Sequence, residues 1–211
     1  MPKPFTELHA IAAPIMRSNI DTDVIIRIER LVGNSVRGTL GKWAFGSLRY
    51  QPDGSENPEF ILNREPYRQA EILVTGPNFG CGSSREGAVW SLQEMGIRAL
   101  IGPSFGDIFF SNCFQNGILP IIVDKAIVEN LAAEIEATQG AGRIAVDLRE
   151  QTITSPSGKQ HRFEIDPRRR DGLLEGLDEV ALTLSRDDEI RAFQAADRAQ
   201  RPWIHFARKS V

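Results

Sequence analysis

The chain has 211 residues, 41% of them hydrophobic and 25% charged, with a formal net charge of -3. That is the composition of a globular protein large enough to bury a core, and without a basic excess it gives no electrostatic case for nucleic acid as a partner. Two cysteines exclude a disulfide framework and suit a reducing compartment, and three scattered histidines with no CxxC or HxxxH spacing argue against a metal held by this chain alone.

The opening "MPKPFTELHAIAAPIMRSN" contains one short apolar patch interrupted by Pro14. It is too short for a signal-peptide core, and no apolar run approaches the ~20 residues of a membrane span, so the expectation is a soluble, cytoplasmic protein without membrane contact. In "SNIDTDVIIRIERL" a polar turn with Asp21 and Asp23 precedes an apolar run, Val24 to Ile28, suited to a strand. The two aspartates could order this loop or meet a partner chain, and an Asx-type turn accounts for them equally. Residues 27–60 are then rich in Gly, Ser, Asn and Pro, and a weakly patterned stretch of that length is functional or disordered more often than incidental.

From Glu71 the pattern is regular. "EILVT" reads as a buried strand; Ala88, Val89, Leu92 and Met95 follow helical spacing, with Gly96 as the stop. "IRALIG" is a second strand. "SFGDIFFSNCFQNG" is a helix closed by Gly117, with Phe105, Phe109 and Cys113 on its core line, and "ILPIIV" is a third strand. Ile127, Leu131 and Ile135 mark another amphipathic helix. Such alternation predicts an α/β fold with a parallel sheet and right-handed crossovers. After Gly142, "RIAVDL" and "KQHRFEI" read as added β-structure with a hairpin at Ser155 to Gly158, and two short helices near "RRRDGLLEGLD" and "RDDEIRAFQAADRAQ" close the chain. Arg168, Arg169 and Arg170 lie among acidic neighbours and read as a solvated face. The expected organisation is one domain over residues 1–211, with a loop-rich segment 27–60 and a helical C-terminal extension 166–211.

The chemistry-bearing stretch is "GPNFGCGSSREGAVW", Gly76 to Trp90. As plain structure it is a glycine-rich entry to a helix, with Ser83 and Glu86 spaced as a capping box. It is not a Walker loop, because no lysine is present, and Arg85 stands where a dinucleotide fingerprint needs its third glycine. The Gly-x-Ser-x-Gly elbow is missing too. What remains beside the capping account is a helix start that carries two hydroxyls and a guanidinium among exposed amides. Free N–H groups and the positive dipole end favour an anion, Arg85 offers a planar fork to a carboxylate, and the same field would steady a Ser83 alkoxide able to take a proton from carbon. Cys81 reads as a small apolar filler rather than a redox centre, since Arg85 is the only adjacent cation.

This stretch continues as "SLQEMGIRALIGPSFGDIFFSNCFQNGILPIIV". With "NIDTDVII" upstream and "FEIDPRRRDGLLEGLDEVALTLSRDDEI" downstream, it resembles the swivelling β/β/α domain of the aconitase superfamily, and more closely the 3-isopropylmalate dehydratase small-subunit family. The resemblance covers most of the chain. It implies a hydro-lyase made of two chains, active only as a heterodimer. The large subunit would hold a 4Fe-4S cluster on three cysteines, and this chain would bind no metal or cofactor of its own. It would close over a small hydroxy-dicarboxylate, with Ser83 as the catalytic base and Ser84 and Arg85 binding substrate carboxylate. The reaction implied is isomerisation of 2-isopropylmalate to 3-isopropylmalate by dehydration and rehydration, in leucine biosynthesis.

Two departures bear on the substrate. Gly87 stands where the family commonly has a histidine, and Arg27 follows Ile26 at once where many members carry a longer, proline-containing segment. That segment leads into the loop 27–49, which in the family shapes recognition of the side group. A relative acting on citraconate, methylmalate or dimethylmaleate is therefore the alternative, and a non-catalytic domain binding small anions is the alternative from another class. Arg30, Arg37 and Arg49 are candidates for a second carboxylate contact.

Overall fold

A computed structural model of the chain describes residues 3–32, 37–82 and 85–204. One strand organises its sheet. β1 (Glu7–Ile15) pairs antiparallel with β5 (Arg143–Asp147) through its first half, from Glu7 opposite Asp147 to Ile11 opposite Arg143. Through its second half it pairs parallel with β2 (Ile72–Thr75), from Ala12 opposite Ile72 to Ile15 opposite Thr75. The parallel side continues through β3 (Ala99–Gly102) to β4 (Leu119–Ile122), and the antiparallel side through β6 (Thr152–Thr154) to β7 (Gln160–Arg162). The order is β4-β3-β2-β1-β5-β6-β7.

β1 is absent from the elements predicted above, because Pro14 speaks against a central strand. The register shows how it is tolerated. Ile11 and Ile15 turn their carbonyls to the β2 side, accepting from Glu71 N and Gly76 N, so Pro14 turns its nitrogen to the other side. There the pairing with β5 has already ended at Ile11, and the missing N–H costs no ladder bond.

The alternation predicted from Glu71 onward is present. β2 and β3 are buried at every residue, as strands between covering layers must be. Helices α3 (Glu86–Met95) and α4 (Asp107–Gln115) supply the crossovers between β2, β3 and β4. Helix α5 (Lys125–Ala137) packs across β1, β2 and β3 through Val128, Leu131 and Ile135, and brings the chain back to β5. Side chains such as Phe79, Phe109, Leu73 and Leu92 are inaccessible to solvent, each contributing about 1.5–3 kcal/mol by leaving water.

Two expectations are corrected. Val24 to Ile28 is not a strand: α1 (Thr22–Ile25) occupies its start, because the Asp21 carboxylate accepts from Val24 N at 2.7 Å and caps the turn. Ile25 and Ile26 still reach the core, so burial overrides β-propensity. Among its described residues the C-terminal extension holds three α-helices rather than two: α6 (Pro167–Glu175), α7 (Glu179–Leu184) and α8 (Asp187–Gln200), where α2 is the short helix Gly46–Arg49. Asp178 adds the extra start by accepting from Ala181 N at 2.8 Å. Of the basic run, Arg168 is exposed as expected, whereas Arg169 lies over the Phe110 and Phe114 rings at 5.2 and 4.8 Å.

The described residues of the weakly patterned segment 27–60 contribute to the core. Leu40, Ala44 and Phe45 are buried, and Phe45 starts an aromatic chain to Phe79 and on to Phe109, with centroids 6.3 and 5.6 Å apart. That chain ties the segment to the glycine-rich turn.

Candidate active site

The chains leaving β1, β2 and β3 emerge on one edge of the parallel sheet, where open α/β sheets place their ligands. Main-chain bonds stitch them together there. Gly80 N donates to Ile20 O at 2.7 Å and Thr22 N to Cys81 O at 3.0 Å, joining the Asp21 segment to the turn. Gly106 N donates to Phe79 O at 2.9 Å, and Asn78 N to Ser104 Oγ at 2.8 Å, joining the third loop. "NIDTD", "GPNFGCG" and "PSFGD", far apart in sequence, thus form one surface. Gly80 is required at its centre. Its φ is +73°, and a Cβ there would lie 2.2 Å from the Phe109 ring.

The turn enters α3, with Arg85 at the N-cap in extended conformation. Ser83 and Ser84, the predicted base and carboxylate ligand, lie outside the described residues. Arg85 contacts the Asp23 carboxylate through Nη1; both are partly exposed, so the pair adds at most about 1 kcal/mol. The capping box is corrected in its described half. Glu86 is the first helical residue rather than the third, and its carboxylate accepts from Asn116 Nδ2 at 3.0 Å.

Beside Arg85 opens a cleft of about 410 Å³, walled by Asp21, Asp23, Val24, Arg27, Ile28, Glu29 and Ser47. Its lining sets Arg85 and Arg27, paired with Asp23 and Glu29, beside the aliphatic Val24 and Ile28, so a small carboxylic acid would enter by taking the place of one of those carboxylates. Both predicted aspartates line it: Asp23 contacts Arg85, and Asp21 also caps α1. The predicted second-carboxylate arginines do not wall the cleft. Arg30 stacks on Trp43, its guanidinium carbon 3.5 Å from the ring centroid, and Arg37 donates to Asn116 Oδ1 at 2.9 Å. Arg49 is buried and donates to Asn63 Oδ1 and Gly41 O. Arg27, noted above only for following Ile26 directly, is the second cation at the opening, where it pairs with Glu29 at 3.2 Å.

Gly87 also finds a reason. A Cβ there would meet Leu31 Cδ2 at 2.5 Å, so the absent side chain is replaced by Leu31 from the preceding loop. Asn116, buried and read above only as the end of a helix, is a hub. It accepts from Arg37 and from Trp90 Nε1 at 3.1 Å, donates to Glu86, and takes a bond from Gln93 on its carbonyl.

Cys113 is fully buried, and burial pushes its thiol well above the ordinary range; Cys81 is half-buried on the turn. Among the described residues no group of three or more His, Cys, Asp or Glu is placed to hold a metal ion. A second hollow, about 400 Å³, lies between α4, α6 and α7, away from the turn. Its acids are already engaged, Asp166 and Asp178 in capping α6 and α7, and Glu179 in accepting from Gln115.

Fold and sequence define the class first: residues 2–126 match the profile of the aconitase C-terminal domain. Residues 129–167 match the LeuD_N profile, and residues 179–207 match that of the C-terminal domain of the 3-isopropylmalate dehydratase small subunit. A 3-isopropylmalate dehydratase small subunit from Gluconacetobacter diazotrophicus is 51% identical over 94% of this chain and 95% of its own. One from Gluconobacter oxydans is 52% identical over 95% and 94%. The chain belongs to the 3-isopropylmalate dehydratase small-subunit family. A crystal structure of 3-isopropylmalate dehydratase from Methanocaldococcus jannaschii superposes with a TM-score of 0.63 over 89% of this chain and 99% of that one; at 23% identity the likeness is one of fold.

Proposed function

We propose that the chain is the small subunit of a hydro-lyase that isomerises 2-isopropylmalate to 3-isopropylmalate in leucine biosynthesis, working as one domain against a cluster-bearing large subunit. The observation that carries this reading is the cleft at the head of α3, where Arg85 faces Val24 and Ile28 in a chain half identical to small subunits of that name. Arg85 and Ser84 would hold a substrate carboxylate, and Ser83 would remove the proton from the carbon beside it. The amides and dipole of the helix start favour the serine alkoxide, and Arg85 balances charge that gathers on the carboxylate during elimination. Return of water to the other carbon of the alkene completes the exchange. Asp23 has a part here as well: it occupies Arg85 with a carboxylate like the one the substrate would bring, and so keeps the guanidinium aimed across the cleft.

The donor set of this chain does not fit an iron–sulfur cluster, which needs three or four thiolates. One of its two thiols is sealed in the core with its proton held by burial, and no step is assigned to a cluster on this chain. In this reading the cluster belongs to the partner. No helix among the described residues is long and apolar enough to cross a membrane, and a cytoplasmic site of action, suited to two unpaired thiols, is part of the same proposal.

The test mixes the chain with a reconstituted large subunit and follows alkene absorbance from 2-isopropylmalate, citraconate and dimethylmaleate. Turnover that needs both chains and is fastest with 2-isopropylmalate is expected. Preference for a methyl-bearing substrate would move the assignment to the related hydro-lyases. Absence of turnover with all three would leave a domain that only binds small anions.

A further inference from the structure

Helix α3 begins at the turn, but its other end carries an unexplained charge. Glu94 sits in the last turn, where the helix dipole disfavours a carboxylate. Its side chain is spent on three main-chain amides of another segment: Gly38 N and Leu40 N donate at 2.5 Å each, and Gly41 N at 3.1 Å. A Cβ on Gly41 would lie 2.7 Å from the Glu94 carbonyl carbon, so the segment rests directly on the helix backbone. Two further contacts continue this seat toward the turn. The Arg37 guanidinium lies 4.8 Å from the Trp90 ring centroid, and Leu31 fills the space above Gly87. Gly87, Trp90 and Glu94 are spaced three and four apart, so they form one stripe along α3.

The segments on either side of this strap are cleft walls: Val24, Arg27 and Ile28 precede it, and Ser47 follows it. The same helix therefore presents Arg85 at its head and fastens the opposite wall at its tail. We infer that Glu94 is a positioning residue, which sets the width of the cleft by clamping residues 38–41 to α3. The inference rests on the reading of that cleft as the substrate site. Loss of the clamp would loosen substrate binding while leaving the proton-transfer groups in place.

The experiment uses Glu94→Gln in the full chain, alone and assembled with the large subunit. Gln keeps the size but turns an NH2 toward N–H donors. Amide exchange is expected to quicken at Gly38, Leu40 and Gly41 while β1–β3 stay protected, and KM for 2-isopropylmalate should rise about tenfold with kcat within roughly twofold of wild type. Unchanged exchange at those amides overturns the clamp. Released amides with a wild-type KM, or a fall in kcat alone, overturn the positioning role. A wild-type assembly that turns over no substrate refutes the dehydratase reading and the positioning role with it, whereas a working wild type with an indifferent Glu94→Gln refutes the positioning role alone.

Discussion

At Ile11 β1 exchanges an antiparallel partner for a parallel one, and the two halves of the sheet it joins differ in what they do with their chain ends. On the parallel side, β1, β2 and β3 all release their chains at one edge, so three loops meet and bond, and the first two of them wall a cleft. On the antiparallel side, β5, β6 and β7 run up and down through tight connections, and the ends that meet there are hairpin turns such as Ser155–Gly158, closed by Gly158 N to Ser155 O. Parallel pairing needs long crossovers, and those crossovers are the source of both the helix that carries Arg85 and the strap clamped to it. The same sheet thus separates a half that builds a site from a half that mainly buries apolar surface.

Substitutions can break this contrast. Arg85→Gln should cost about 10²–10³ in kcat, the scale for loss of one preorganised charge-stabilising donor, without changing the melting midpoint appreciably. A paired core experiment sharpens the division. Phe109→Ala and Ile153→Ala both empty fully buried sites and should destabilise by about 3–5 and 2–5 kcal/mol in denaturant titrations. Only Phe109→Ala, under Gly80, should also reduce turnover per folded molecule. An equal loss of activity from Ile153→Ala would erase the distinction. Asp21→Ala is the mildest change: with the α1 cap lost, stability should fall by about 1 kcal/mol, read as a lower denaturant midpoint at constant slope.

The regular region from Glu71 to Ala137 was legible because its signals are local: continuous buried strands, amphipathic helices and glycine stops. β1 was not, since the reason Pro14 is harmless lies in the end of a register with a strand far along the chain. α1 was missed for a related cause; an apolar run looks alike as strand or helix, and only the Asp21 cap decides. At the site, glycine density and Arg85 mark the turn, and the spacing of its residues excludes the phosphate-binding motifs. Glu94 and Asn116 carry no such mark. One is an ordinary acid on a helix and the other an ordinary residue before a glycine, and their roles exist only in contacts that folding brings together.

The proposed chemistry turns on Ser83 as the base that performs the proton transfer. Ser83→Ala, assembled with the large subunit and assayed with 2-isopropylmalate, tests this directly. Removal of the base should lower kcat by roughly a thousandfold or more, with the fold and the docking of the two chains retained. Turnover at the wild-type rate in that variant would contradict the account.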